Sequence, residues 1–198
     1  DLIICDDGLQ YYMLKRDYEI AIIDQKRLFG NGQLLPAGPL REPISRLKNV
    51  NLELSQISIP SDKGNHESTY TNINTFYLMG DMAVNIETGE RRLLSEFMNN
   101  KIHAVAGIGN PASFFSLLER KNLIIEKHYF RDHQKYSLNE LSFNDDLDIL
   151  MTEKDAVKCK KLKNDRLWYV PVDLMFDGNY QTWLIDIENL VKKRETDD

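Results

Sequence analysis

The sequence predicts an α/β fold, a mostly parallel sheet with flanking helices, plus a small antiparallel insertion or linker. Three observations carry this. Over residues 101–198, short apolar runs alternate with amphipathic stretches in the order strand, helix, strand, helix, strand, helix. Residues 2–5 and 18–23 are apolar runs that each end on a carboxylate, which reads as buried strands delivering acidic side chains to the ligand-binding edge of a sheet. Residues 83–93 carry a hairpin pattern turning at Thr88 and Gly89. The predicted organisation is a first α/β portion over 1–50, a β-rich insertion or linker over 51–100, and a second α/β half over 101–198.

Composition narrows the classes. A 198-residue chain with 42% hydrophobic and 28% charged residues can bury a good core. A net charge of −6 argues against a general nucleic-acid binder, because neutralising phosphates needs a basic face. The two cysteines, Cys5 and Cys159, have neither disulfide nor metal-ligand spacing. No apolar stretch approaches the roughly 20 residues that span a bilayer, and no signal peptide is present. The chain opens on Asp1 inside an apolar run, which predicts that a preceding portion belongs to the protein.

Taken in order, residues 2–5 are expected to be a strand ending in Asp6-Asp7-Gly8, although a plain Asp-Gly turn is the simpler reading of those residues alone. Residues 27–43 contain three glycines and three prolines, which rules out a regular element and predicts a long ordered loop. A Pro-started helix should follow at 44–48. Strands are expected at 57–59 and 76–78, with a polar turn or loop around His66 between them. A strand at 102–106 leads into Gly107-Ile108-Gly109-Asn110-Pro111, where Asn110 reads as a cap and Pro111 as the first residue of a helix over 112–120. Ser137 is expected to cap a short helix reaching Leu141. A strand at 148–151 runs into a helix capped by Thr152, with Asp155 as a capping-box variant. The last predicted elements are a strand at 167–172 and an amphipathic helix at 179–193 that turns Trp183, Leu184, Ile187, Leu190 and Val191 inward.

Chemistry concentrates at a few places. Asp6 and Asp7 at the end of a strand suit a hard cation, which wants carboxylate oxygens on a rigid support. Glu42, next to Arg41 in the long loop, is a third carboxylate that can complete such a site, or an ordinary surface residue. His133 beside Asp132 offers an imidazole that titrates near neutrality next to a carboxylate, the raw material of acid–base catalysis, although neighbours on an extended chain point to opposite faces. Gly107-Ile108-Gly109 before a helix can bind phosphate through backbone N–H groups, but it lacks the third glycine of a dinucleotide fingerprint and serves equally as a strand–helix turn. Nothing in the 198 residues matches a G-x-x-x-x-G-K-[ST] phosphate loop.

Several strings occur together and in order: Asp6-Asp7-Gly8-Leu9-Gln10, Phe29-Gly30-Asn31-Gly32, the run from Leu34 through Pro36, Gly38 and Pro39 to Arg41-Glu42-Pro43, Gly107-Ile108-Gly109-Asn110-Pro111, Phe130-Arg131-Asp132-His133, and Met151-Thr152-Glu153-Lys154-Asp155. This set resembles the tetraacyldisaccharide 4'-kinase family of lipid A biosynthesis, over its C-terminal portion. The resemblance implies a P-loop NTPase-like fold and phosphoryl transfer from ATP to the 4'-hydroxyl of a tetraacyldisaccharide 1-phosphate. It implies that Asp6 and Asp7, with Glu42, hold or orient Mg²⁺. It also implies that Arg41 and the loop glycines Gly30 and Gly32 contact nucleotide or substrate, and that His133, with Asp132, sits at the reaction centre. The family's phosphate loop and membrane-associating helix precede the matching region, so the resemblance implies peripheral contact with the cytoplasmic face of the bacterial inner membrane through that portion, a lipid partner and no nucleic acid. Where the family usually has His after the Asp-Asp-Gly-Leu-Gln string, this chain has Tyr11.

Two other classes fit parts of the pattern. A different P-loop enzyme, such as a GTPase-like switch, would share the strand and acidic pair, and Glu153-Lys154-Asp155 faintly resembles a base-recognition motif. A catalytically silent fragment would keep the fold without turnover.

Overall fold

The structure, a computed structural model, describes residues 2–57, 74–132, 134–177 and 180–197. It divides into two compact units, one made of residues 1–77 and 175–198, the other of residues 78–174. The predicted loop around His66, and His133 itself, lie outside the described residues.

The first unit is built on a four-stranded sheet ordered β1-β2-β3-β10, whose strands are β1 (Ile20–Asp24), β2 (Leu52–Gln56), β3 (Asn74–Met79) and β10 (Asp173–Asp177). β1, β2 and β3 run parallel, with Ile22 opposite Leu54 and Leu54 opposite Asn74. Its core is small: Leu52, Leu54 and Phe76 are buried, with Tyr18, Phe176 and Trp183 packed against them. Helix α3 (Gln181–Asp197) supplies Trp183, whose indole meets the Phe176 ring edge-on at 5.5 Å. Trp183, Ile187 and Val191 form the half-buried stripe of α3, whereas Leu184 and Leu190 face solvent.

Three expectations change here. Residues 2–5 form no strand: Ile3 and Ile4 are 94% and 83% exposed, and no neighbouring strand among the described residues offers them a ladder. An apolar run becomes a strand only when a partner satisfies its backbone groups. Of the strand expected at 57–59, residues 58 and 59 lie outside the described residues, and β2 ends just before it at Gln56. The segment after the long loop is a 3-10 helix, Ile44–Asn49, and β10 lies in a stretch expected to be connecting chain.

The second unit holds a six-stranded sheet ordered β5-β4-β9-β8-β6-β7. Its strands are β4 (Met82–Asn85), β5 (Arg91–Leu93), β6 (Lys101–Ala106), β7 (Ile124–Tyr129), β8 (Ile149–Thr152) and β9 (Leu167–Val170). β7, β6, β8 and β9 are parallel, and the β4–β5 hairpin adds antiparallel to β9. The hairpin turns where expected, with Gly89 at a φ of 73° that a side chain would resist. Alternate residues of the parallel strands feed two cores. Ile102, Ala104, Ala106 and Leu150 pack with Phe114, Phe115 and Leu118 of α1 (Pro111–Arg120). Val105, Ile149 and Met151 pack with Ala156 and Cys159 of α2 (Glu153–Cys159) and with Tyr136 and Leu141. This two-faced burial explains why these strands read as continuous apolar runs.

Caps follow the sequence in part. Thr152 accepts from the Asp155 backbone N–H as an N-cap should. Asn110 occupies the cap position of α1 without a side-chain capping bond, while the Ser113 hydroxyl donates to its carbonyl. The Ser137 box forms, since Ser137 donates to the Glu140 carboxylate and its hydroxyl accepts from the Glu140 N–H, but it closes a turn and no helix follows. Among the described residues no helix is long and apolar enough to cross a membrane.

Candidate active site

In the first unit, the acidic pair sits on a turn fastened from below. Asp7 takes a φ of 52°, a left-handed conformation that costs a non-glycine residue roughly 1–2 kcal/mol and persists only where neighbours enforce it. The enforcing group is Arg16, whose Nη1 donates to the carbonyls of Gly8 at 2.5 Å and Leu9 at 3.1 Å. Arg16 is in turn paired with Glu19 at 2.9 Å, and both Glu19 carboxylate oxygens accept from Arg46 Nη2, at 2.9 and 2.8 Å. Arg46 reaches on to Glu42, Nε to Oε2 at 3.9 Å. The four side chains are each less than a fifth exposed, so this alternating network of Arg and Glu is shielded from solvent and holds the turn and the end of the long loop to one support.

Asp6 and Asp7 remain solvent-facing, and Arg41 Nη1 donates to Asp7 Oδ2 at 2.7 Å. Arg41, expected to contact nucleotide or substrate, is thus also tied to the acidic turn. Glu42 is half-buried, and its Oε1 has no hydrogen-bond partner. The structure does not gather Asp6, Asp7 and Glu42 into one ligand sphere: Asp7 faces Arg41, and Glu42 faces Arg46. Oxygen-only donors with an unused buried lone pair suit a hard divalent cation. Mg²⁺ needs only one or two carboxylates when phosphate oxygens complete its shell.

The long loop is pinned by its own residues. Asn31 donates to the Ala37 carbonyl at 2.9 Å and accepts from the Gln33 N–H at 3.1 Å, while Leu34 and Leu40 bridge the two arms. Gly30 and Gly32 adopt φ values of 58° and 72°, so their first duty is to turn the backbone. Gly38 is required for space, because a Cβ there would overlap the Asn31 Oδ1 and the Gln33 carbonyl.

In the second unit, the carboxyl ends of β6, β7 and β8 bring together the turn at Gly107, the segment Arg131-Asp132 and the start of α2. Asp132 pairs with Lys154 at 2.9 Å. Behind them lies Asp155, fully buried. Its carboxylate accepts from the Gly107 N–H at 2.9 Å, the Thr152 hydroxyl at 2.7 Å, the Tyr136 hydroxyl at 2.9 Å and the Lys158 ammonium at 2.8 Å. Burial alone pushes this carboxyl up, but those four donors outweigh it and hold it below the usual carboxylate range. The same burial, with the Asp155 charge, pushes the Tyr136 hydroxyl far above its ordinary value. Sequence reasoning found Asp155 as a cap and missed that it also ties Gly107 and Tyr136. Tyr136 and Gly107 carry no local signal of it, since they lie 19 and 48 residues from Asp155, whereas Lys158 stands three residues on, within one helical turn.

The family model described as tetraacyldisaccharide-1-P 4'-kinase matches residues 1–189. A tetraacyldisaccharide 4'-kinase of Methylobacillus flagellatus is 45% identical over 181 residues, covering 89% of this chain and 50% of that protein. The Pseudomonas aeruginosa protein of the same name is 42% identical over 184 residues, covering 92% of this chain and 53% of its own length. The chain thus spans about half the length of the curated relatives it matches. The crystal structure of the apo form of LpxK from Aquifex aeolicus in complex with ATP superposes with a TM-score of 0.62 at 21% identity, over 89% of this chain and 53% of that one. This last likeness carries the fold.

Proposed function

The chain belongs to the tetraacyldisaccharide-1-P 4'-kinase family, and from that premise we propose that it is part of a kinase that phosphorylates the 4'-hydroxyl of a tetraacyldisaccharide 1-phosphate with ATP. The observation that carries this reading is the acidic turn. Asp6 and Asp7 face solvent on a strained backbone that a buried network holds in place, which is how a preorganised charge-handling group is built. Mg²⁺ bound there would neutralise phosphate charge. Phosphoryl transfer asks the protein mainly for positioning and electrostatics, and the residues divide accordingly. Arg41 fixes the Asp7 carboxylate and presents its remaining donors to phosphate oxygens. Gly30 and Gly32 keep the backbone beside them low. Glu42 and Arg46 brace the loop.

His133 with Asp132 handles the proton of the acceptor hydroxyl, by the resemblance of Phe130-Arg131-Asp132-His133, and Lys154 restrains Asp132. The lipid acceptor places the protein at the cytoplasmic face of the bacterial inner membrane as a peripheral enzyme.

The test is ATP-dependent phosphorylation of the disaccharide acceptor by protein expressed from the complete reading frame, with Asp7→Asn and His133→Ala alongside. The expected result is turnover by wild type and a loss of about 10²-fold or more in each variant. Absence of acceptor phosphorylation in a folded, ATP-binding protein would overturn the assignment, and full activity in both variants would overturn the site.

A further inference from the structure

Away from the residues used above, the second unit brings two histidines and two carboxylates together on the outer edge of its sheet. His103 lies in the middle of β6, buried to 2% exposure, and His128 lies on the neighbouring edge strand β7. Glu126, two residues before His128, points to the same face and stands opposite His103 in the strand register. His103 Nδ1 and His128 Nε2 are 2.9 Å apart. The ligand atoms of His103, His128 and Glu126 all lie within 4.8 Å of one another, and among the described residues this is the one such group.

We propose that His103 Nδ1, His128 Nε2 and the Glu126 carboxylate form a binding site for a borderline divalent transition-metal ion such as Zn²⁺. Three features support it. The far nitrogen of His103, Nε2, is held by Asp145 at 3.0 and 3.1 Å. A carboxylate there accepts a hydrogen bond from Nε2–H and so leaves Nδ1 as the lone pair aimed at His128, which is the carboxylate–histidine arrangement that orients metal-binding imidazoles. The Phe143 ring covers both imidazoles, with centroids at 3.9 Å from His103 and 4.2 Å from His128, so the site has an apolar wall. His128 and Glu126 stay partly exposed, which leaves an entry path from solvent.

The fit in size is close. Two nitrogens bound at about 2.05 Å in a tetrahedral site lie about 3.3 Å apart, so the rings need to open by only a few tenths of an ångström. Binding would require the hydrogen between the two rings to pass to His128 Nδ1, freeing Nε2 as the second nitrogen donor. Two imidazoles with one carboxylate favour Zn²⁺ over the oxygen-seeking Mg²⁺. Glu126 also pairs with Lys101 at 2.6 Å, and one carboxylate oxygen can serve each partner. An ion here would cross-link β6 to the edge strand β7.

The experiment is calorimetric titration of the metal-free 198-residue chain with Zn²⁺, with Co²⁺ added in parallel to read ligand type from its visible absorption. His128→Gln and the more exposed Glu126→Gln are compared by circular dichroism to confirm that both fold. The expected result is one Zn²⁺ per chain, a Co²⁺ spectrum of low-coordinate nitrogen and oxygen ligation, and an affinity at least about tenfold weaker in each variant. Asp145→Asn should weaken binding by about 10–100-fold through the His103 tautomer, and Asp145→Glu should restore part of it. Zn²⁺ affinity and Co²⁺ spectrum unchanged in folded His128→Gln, or no uptake of either ion by the wild-type chain, would overturn the site.

Discussion

Replacing Asp155 by alanine should be among the most damaging single changes in the second unit. The substitution strips four donors of their acceptor at once: the Gly107 N–H, the Thr152 and Tyr136 hydroxyls and the Lys158 ammonium. Three of these are neutral donors enclosed around a fully buried carboxylate, and an orphaned buried donor costs about 1–3 kcal/mol. Taking the low end for each, and a further ~1 kcal/mol for Lys158, whose ammonium reaches solvent in part, gives a loss of about 4 kcal/mol. With an m-value of about 1.5 kcal/mol/M, the urea midpoint should fall by more than about 2 M. Trp168, buried in the core of this unit, reports the transition by fluorescence. Asp155→Asn keeps an acceptor for part of the set and should lose about half as much. Lys154→Ala, which breaks only the exposed pair with Asp132, should cost less than about 1 kcal/mol. A urea midpoint for Asp155→Ala within about 0.7 M of wild type, about 1 kcal/mol at that m-value, would refute the reasoning. It would mean that desolvating the carboxylate already cancels its four bonds, as happens with some buried ion pairs.

Other outcomes follow from the same geometry. Because the Asp155 carboxyl is held below its ordinary range in the folded chain, its stabilisation is complete above the unfolded value of about 3.9 and is lost as pH falls through the lower folded value. Acid unfolding should therefore be shallower in Asp155→Asn than in wild type, which a pH series of urea midpoints checks. Gly38→Ala should loosen the long loop at a cost of about 1–3 kcal/mol, since its Cβ overlaps Asn31 and the Gln33 carbonyl, and limited proteolysis should then cut within residues 30–43. Burial and the neighbouring Asp155 charge push the Cys159 thiol up to about 11, so an alkylating reagent at pH 8 should label exposed Cys5 and spare Cys159 in the folded chain, as peptide mapping would show.

Legibility in the sequence tracks burial. β6, β8 and β9 were readable because both faces are covered, so their residues are mostly apolar, and α1 and α2 announce themselves by Pro111 and Thr152. β10 was not, because its first three residues are exposed and it follows Pro171 closely. Residues 2–5 show the converse: apolar character states what a segment would bury, and a missing ladder partner decides that it does not. At the candidate site, Asp7 and Arg41 were both legible, and their contact at 2.7 Å spans 34 residues that only folding closes. The buried exchange of Arg16, Glu19, Arg46 and Glu42 was illegible, since each looks like an ordinary surface charge until its neighbours are known. His103 hid for the same reason, a single imidazole inside an apolar strand.

The first unit is assembled from both ends of the chain, residues 1–77 and 175–198, while the second is one continuous stretch between them. For a chain made from its amino end, the consequence is an order of events. Residues 78–174 leave the ribosome with all their partners already present and can fold during synthesis. The cluster of Leu52, Leu54 and Phe76 must wait for Phe176 and Trp183, which are made about a hundred residues later. A nascent chain halted near residue 174 would carry a finished second unit beside an unfinished first, with the acidic turn attached to the part that is still waiting.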